Sequence, residues 1–140
     1  MPFVSITRLR VRSWRYVPGF LVDALRSAWQ AKTTPANLAV SLLSDRGRVY
    51  WTRTLWSDEA AMRSFMVSGA HRRTMPRLLD WCDEASVVHW VQDADEPPSW
   101  LEAHRRMRQD GRRSRVNHPS DGQLRFAFPE PRVGRELKFK

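Results

Sequence analysis

Val49-Tyr50-Trp51-Thr52-Arg53-Thr54-Leu55-Trp56, running straight into Ser57-Asp58-Glu59-Ala60-Ala61-Met62-Arg63-Ser64-Phe65-Met66, decides how this chain is read. The first eight residues form a strand pattern rich in aromatic and β-branched side chains. Ser57 or Asp58 then caps a helix with an acid in its first turn, and Ala61, Met62, Phe65 and Met66 make its apolar stripe. Upstream, residues 37–44 read as another strand, and the intervening Asp45-Arg46-Gly47 is a turn signal, so the two strands form a hairpin.

Working outward, residues 2–11 predict a first strand, with Val4 and Ile6 on one face and Phe3 and Leu9 on the other. Pro18 and Gly19 open a helix whose stripe is Leu21, Ala24, Leu25, Ala28 and Trp29. After the central helix, Ser68-Gly69 and then Pro76 break the pattern. Two short collinear helical pieces follow from this, the second burying Met75, Leu78, Leu79 and Cys82. A fourth strand is predicted over 85–92, with Val87 and His89 on one face and Val88 and Trp90 on the other. The order β-α-β-β-α-β is a ferredoxin-like α+β arrangement. Two helices cover one face of such a sheet. The other face is also apolar, and the economical cover for it is a second copy of the chain, giving a homodimer that encloses interior cavities.

The chain divides at Pro97-Pro98 into a domain over 1–96 and a basic C-terminal extension over 97–140. The whole chain carries 24 Lys and Arg against 15 Asp and Glu, a formal charge of +9. The first part holds 13 basic and 10 acidic residues and the extension 11 and 5, so two thirds of the excess lies in the last third. Charge so concentrated in an appendage disfavours nucleic acid as the partner of the domain. Within the extension, Trp100, Leu101, His104 and Met107 space as a short helix that docks on the domain or on its partner. Residues 110–121 read as a polar loop, 124–128 as a small strand, and the last residues as mobile. His104 and His118 read as surface residues. One cysteine excludes an internal disulfide and any multi-cysteine metal site, and no metal centre is expected. Without an apolar run of membrane-spanning length or a leader pattern, the expectation is a cytoplasmic protein with no membrane segment.

The order of elements, together with Leu55-Trp56-Ser57-x-x-Ala60-x-Met62-x-x-Phe65, resembles the dimeric α+β-barrel superfamily that includes antibiotic-biosynthesis monooxygenases. The continuation Gly69-Ala70-His71-Arg72-Arg73-x-Met75-Pro76 and Trp81-Cys82-Asp83-Glu84-Ala85 resembles a branch of unknown function distantly similar to spheroidene monooxygenase. The resemblance covers residues 1–96. It implies a monooxygenase-like enzyme acting on a flat, largely apolar small molecule in the barrel cavity, with haem-dependent and cofactor-free chemistry both open. The alternatives are a non-catalytic binder of such a molecule, haem included, a purely structural homodimer and, less favoured, nucleic-acid binding through the basic extension. Haem-degrading relatives place a tryptophan where this chain has Phe65 and a ligating histidine where it has Met75, which disfavours that reaction. Cofactor-free relatives tend to use a tryptophan, an asparagine and a histidine or other polar groups around the cavity, but Asn37 here opens the second strand rather than lying in the first.

Candidate site residues follow. His71, at the helix break, and His89, on a strand, are candidate proton acceptors, and His71 is also a candidate iron ligand. Each can equally be a surface or core imidazole. Trp56, Phe65 and Trp51 are candidate substrate-binding walls, with ordinary core packing as the alternative. Trp51 and Trp56 have opposite parity, so one of them at most faces the cavity. Arg8 and Arg53 are candidates for holding a carboxylate, phenolate or haem propionate, against the plainer reading of a salt bridge or an exposed strand end. Cys82 reads as packing beneath the second helix.

Overall fold

The computed structural model describes all 140 residues. Its elements are β1 (Phe3–Val11), a 3-10 turn (Trp14–Tyr16), α1 (Val17–Lys32), β2 (Asn37–Ser44), β3 (Val49–Trp56), α2 (Glu59–Met66), α3 (Gly69–Trp81), β4 (Cys82–Val91), α4 (Trp100–Asp110), β5 (Arg112–Arg113), α5 (Asp121–Arg125) and β6 (Glu136–Lys138). The sheet order is β5-β4-β1-β3-β2-β6, and every pairing is antiparallel. Its four central strands in the order β4-β1-β3-β2, with the crossover helices on one side, are the ferredoxin-like arrangement. No helix is long and apolar enough to cross a membrane.

Strand parity is as the sequence indicates. Val4, Ile6, Trp51, Leu55 and Val88 fall in one apolar cluster, while Phe3 and Trp56 fall in another on the opposite face. The α1 stripe is not as expected. Phe20, Ala28 and Ala31 turn toward the sheet, whereas Leu25 and Trp29 are exposed. Asp23 of the same helix is buried, and Arg77 of α3 pairs with its carboxylate at 2.9 Å. Pro76 lies inside a continuous α3, and the break falls before it, at Val67–Ser68. Met75 is exposed, and Cys82 opens β4 rather than closing the helix.

The second sheet face is covered by the chain itself. Trp100, Ala103 and Met107 of α4 are buried against Val4, Ile6, Trp51 and Leu55, and Phe126 and Phe128 pack beside them. The expected second copy rested on this face being bare. Burial by residues 97–140 removes the reason to place a partner there.

Two arginines bolt the cover down. Arg8 donates to Glu84 Oε1 at 2.6 Å, and its guanidinium lies 5.0 Å from the Phe128 ring. Arg53 donates to the Pro98 carbonyl at 2.8 Å and to Glu136 at 3.0 Å, and it lies 4.3 Å from the Trp100 ring. The extension is therefore packed structure rather than a solvated tail. His104 is buried beside Trp51 and Phe128, contrary to its surface assignment.

The expected strand over 124–128 is instead the last residues of α5 followed by irregular chain, with Phe126 capping the helix in the left-handed region at φ 53°. Ser120 caps that helix and so projects Gln123 inward, where its carboxamide accepts from the Ala85 N–H and donates to the Ala85 carbonyl, at 3.0 and 3.1 Å. A side chain thus mimics a strand neighbour at the sheet edge. The final residues, expected to be mobile, pair with β2 as β6, and Phe139 packs on the cluster around Trp56.

Candidate functional site

Between the sheet and α1, α2 and α3 lies a cavity of about 300 Å³. Its cause is legible in the residues. The floor carries Ser5 and Thr7 of β1 and Thr52 and Thr54 of β3, and the roof carries Ala24, Ser27, Ala28 and Ala31 of α1. Small side chains facing small side chains across a sheet–helix layer leave space that packing would otherwise fill. Larger groups close the ends: Leu42, Phe65, Met66, Leu78 and Leu79 make an apolar wall, and residues 112–116 close the β4 edge. This signal was available in the sequence as the run of small residues sharing one parity in β1 and β3. Only with α1 correctly phased does it face the alanines.

His71 and His89 both line this cavity. His71 is placed by the junction of α2 and α3. Gly69 there has φ 58°, and a Cβ on it would come within 3.0 Å of the Gln30 carboxamide. That carboxamide accepts from the His71 backbone N–H at 2.9 Å and donates to the Ser68 carbonyl at 2.8 Å. The imidazole Nδ1 lies 3.1 Å from the Met66 carbonyl. A carbonyl only accepts, so Nδ1 carries the proton and Nε2 offers a lone pair. Burial lowers the His71 pKa below its usual 6.5, outweighing the hydrogen bond to Met66, which favours the charged form. The ring is therefore a neutral base at neutral pH.

His89 is held by β4 opposite Ser5. Its Nε2 is buried without a hydrogen-bond partner, as is the hydroxyl of Ser27 on the roof. Burial lowers the His89 pKa, helped by the charges of Arg112 and Arg63 and opposed by Glu59. Two unsatisfied polar atoms in the wall of an apolar space are costly, at about 1–3 kcal/mol each, unless something in that space bonds to them.

The remaining candidates separate. Phe65 lines the cavity, with its ring 4.7 Å from that of His71. Trp56 stands behind it at 5.0 Å, buried in the core and short of the cavity wall. Trp51 faces α4, on the other side of the sheet, and its Nε1 donates to Asp45 at 3.2 Å. Arg8 and Arg53 share that face, so they hold the C-terminal cover and do not reach the cavity. Burial lowers the pKa of Arg53, against the opposing charge of Glu136. Sequence reasoning missed Ser27, Arg112 and Arg115, all of which line the cavity. No group of three or more His, Cys, Asp or Glu side chains is placed to hold a metal ion.

Solved structures with this architecture include SnoaB, a cofactor-independent oxygenase from Streptomyces nogalater, at 16% identity and a TM-score of 0.55, covering 66% of this chain and 94% of that one. A putative antibiotic biosynthesis monooxygenase from Nitrosomonas europaea matches at 13% identity and 0.59, over 65% and 89% of the two chains. Rv0793 from Mycobacterium tuberculosis matches at 9% and 0.61, over 67% and 97%. Likeness at such low identity speaks to fold alone, and places this fold with that of the antibiotic-biosynthesis monooxygenases. Those structures are matched nearly whole, while about a third of the present chain goes unmatched. No curated protein matches the sequence. Residues 14–131 do match a family pattern that runs from the 3-10 turn through α5, and the chain belongs to that family, described as Domain of unknown function (DUF3291).

Proposed function

We propose that the cavity binds a flat, largely apolar small molecule and that the protein acts on it as an oxygenase-like enzyme with His71 as proton acceptor. The carrying observation is the pair of imidazoles, both held neutral, in the wall of one apolar cavity. The open volume favours this over a core-filling role for Phe65 and His71. The name of SnoaB, a cofactor-independent oxygenase, supplies a precedent for the chemistry on this fold.

In such a reaction His71 Nε2 takes a proton from an acidic methylene of the substrate, leaving an electron-rich carbanion that reduces dioxygen. The O–O bond then breaks, one oxygen atom remaining as the new carbonyl and the other leaving as water. The protein contributes the base and a water-poor cavity.

Haem does not fit these residues. The macrocycle is too large for a space of about 300 Å³, the lower end of small-molecule sites, which extend to roughly 1,000 Å³. A homodimer of the barrel type would have to use a surface other than the α4 face, and the cavity is complete within one chain.

An anthrone, a tricyclic aromatic ketone with an acidic methylene, is a suitable probe. Oxygen uptake under air should accompany its conversion to the quinone, and His71→Gln should slow it by about 10²–10⁴. Binding without oxygen uptake would establish the non-catalytic alternative, and absence of both would refute the reading.

A further inference from the structure

The cavity has charge at one end only. Antiparallel pairing of β5 with β4 sets Arg112 opposite Val87, so both side chains point to the cavity face beside His89. Arg115 also reaches the lining from the same segment. Neither guanidinium takes part in an ion pair or a side-chain hydrogen bond, and no aspartate or glutamate lines the cavity. Both side chains are exposed at the rim, and what sets them apart from the other arginines without a carboxylate partner is their place in the lining of an apolar cavity. Two unpaired cations at the rim of an apolar space, with the unsatisfied His89 Nε2 beside them, make a receptor for a negative charge carried on an apolar body.

We propose that the ligand is an organic anion, a flat apolar molecule whose acidic group sits between Arg112, Arg115 and His89 while its rings lie under α1. This rests on the cavity being a ligand site, as proposed above, and adds the ligand's charge and orientation. It also gives the extension a second role, because residues 112–116 supply the end of the site that reads charge.

Two fluorescent probes with the same ring system test it: 8-anilinonaphthalene-1-sulfonate, an anion, and N-phenyl-1-naphthylamine, its uncharged counterpart. The full chain should bind the sulfonate at least about tenfold more tightly, the scale of one charge-assisted hydrogen bond. Arg112→Gln should lose about tenfold for the sulfonate and less than about twofold for the amine. Arg26→Gln, which removes the same charge from the outer face of α1, should change neither. Equal losses from the two substitutions, or no loss from Arg112→Gln, would overturn the assignment while leaving the cavity as a site for neutral ligands. Failure to bind either probe would overturn the ligand-site reading itself. Circular dichroism checks the fold of each variant, and Arg115→Gln repeats the measurement should Arg112→Gln not fold.

Discussion

Replacing Met107 by alanine isolates what the C-terminal cover contributes to stability. Met107 is fully buried on the inner face of α4, while Leu101 on the same helix is more than half exposed. Methionine, leucine and alanine are all good helix formers, so the two substitutions differ in packing rather than propensity. Truncating Met107 forfeits about 2 kcal/mol of transfer free energy. It also leaves a cavity of roughly 60 Å³, which at about 24 cal/mol per Å³ adds about 1.5 kcal/mol. The expected loss is therefore about 3–4 kcal/mol, a large part of the roughly 5–15 kcal/mol that holds a typical domain together. With a urea slope of about 2 kcal/mol per molar, the midpoint should fall by about 1.5–2 M. Leu101→Ala should stay within about 0.5 kcal/mol. Urea titration followed by far-ultraviolet circular dichroism reads both. A Met107→Ala midpoint indistinguishable from that of Leu101→Ala would mean that α4 is not part of the core and would return the second sheet face to solvent or to a partner.

Other measurements bear on single groups. Burial and the neighbouring Asp83 push the Cys82 thiol up to about 12, so it should be inert to Ellman's reagent in the folded protein and react at once in denaturant; fast reaction under native conditions would contradict its placement. The His71 pKa is lowered on folding, so the unfolded chain binds the proton more readily. The stability tied to neutral His71 is then full above pH 6.5 and declines as pH falls from there through the lower folded value. His71→Phe should flatten that part of a pH–stability curve, and an unchanged slope would refute the assignment. Burial raises the Glu84 pKa, but hydrogen bonds from Arg8 and Ser120 and the charges of Arg8 and Arg10 more than reverse this. Arg8→Met removes one of the partners of that carboxylate, leaving Ser120 and Arg10, and should cost about 1–3 kcal/mol by urea denaturation, whereas Arg8→Met combined with Glu84→Gln should recover much of the loss.

The core elements could be read from the sequence because period-two alternation survives in β1, β3 and β4 and because Asp58 and Ser99 cap as their residue types predict. Helix α1 could be misphased because its apolar residues lie on two overlapping faces. Leu21, Leu25 and Trp29 are the more hydrophobic set, yet Phe20 with Ala28 and Ala31 is the set that packs. Arg8 shares its parity with Val4 and Ile6, and Arg53 with Trp51 and Leu55. Both sheet faces are apolar, however, and nothing local says which one holds the void, so the expectation that these arginines reach a ligand there fails. Which face holds it depends on where residues 97–140 fold back, a contact made across the whole length of the chain. Strand β6 pairs through only three residues, and its alternation of Glu136, Leu137, Lys138, Phe139 and Lys140 is too short to mark a strand by itself. Its pairing comes from the neighbouring edge of β2, not from its own pattern.

The two short strands of the extension have a further consequence for the life of the protein in a crowded solution. β5 lies along part of the outer edge of β4, and β6 along part of the outer edge of β2. Bare edges offer rows of unpaired amides on which other chains can align. Here one segment of the same polypeptide screens both edges, and the residues that screen them are Arg112, Arg113, Glu136 and Lys138 around a single leucine. Removal of residues 99–140 would thus do more than loosen the fold. It would uncover two hydrogen-bonding edges and an aromatic face at once, and turn a well-behaved folded unit into a seed for aggregation.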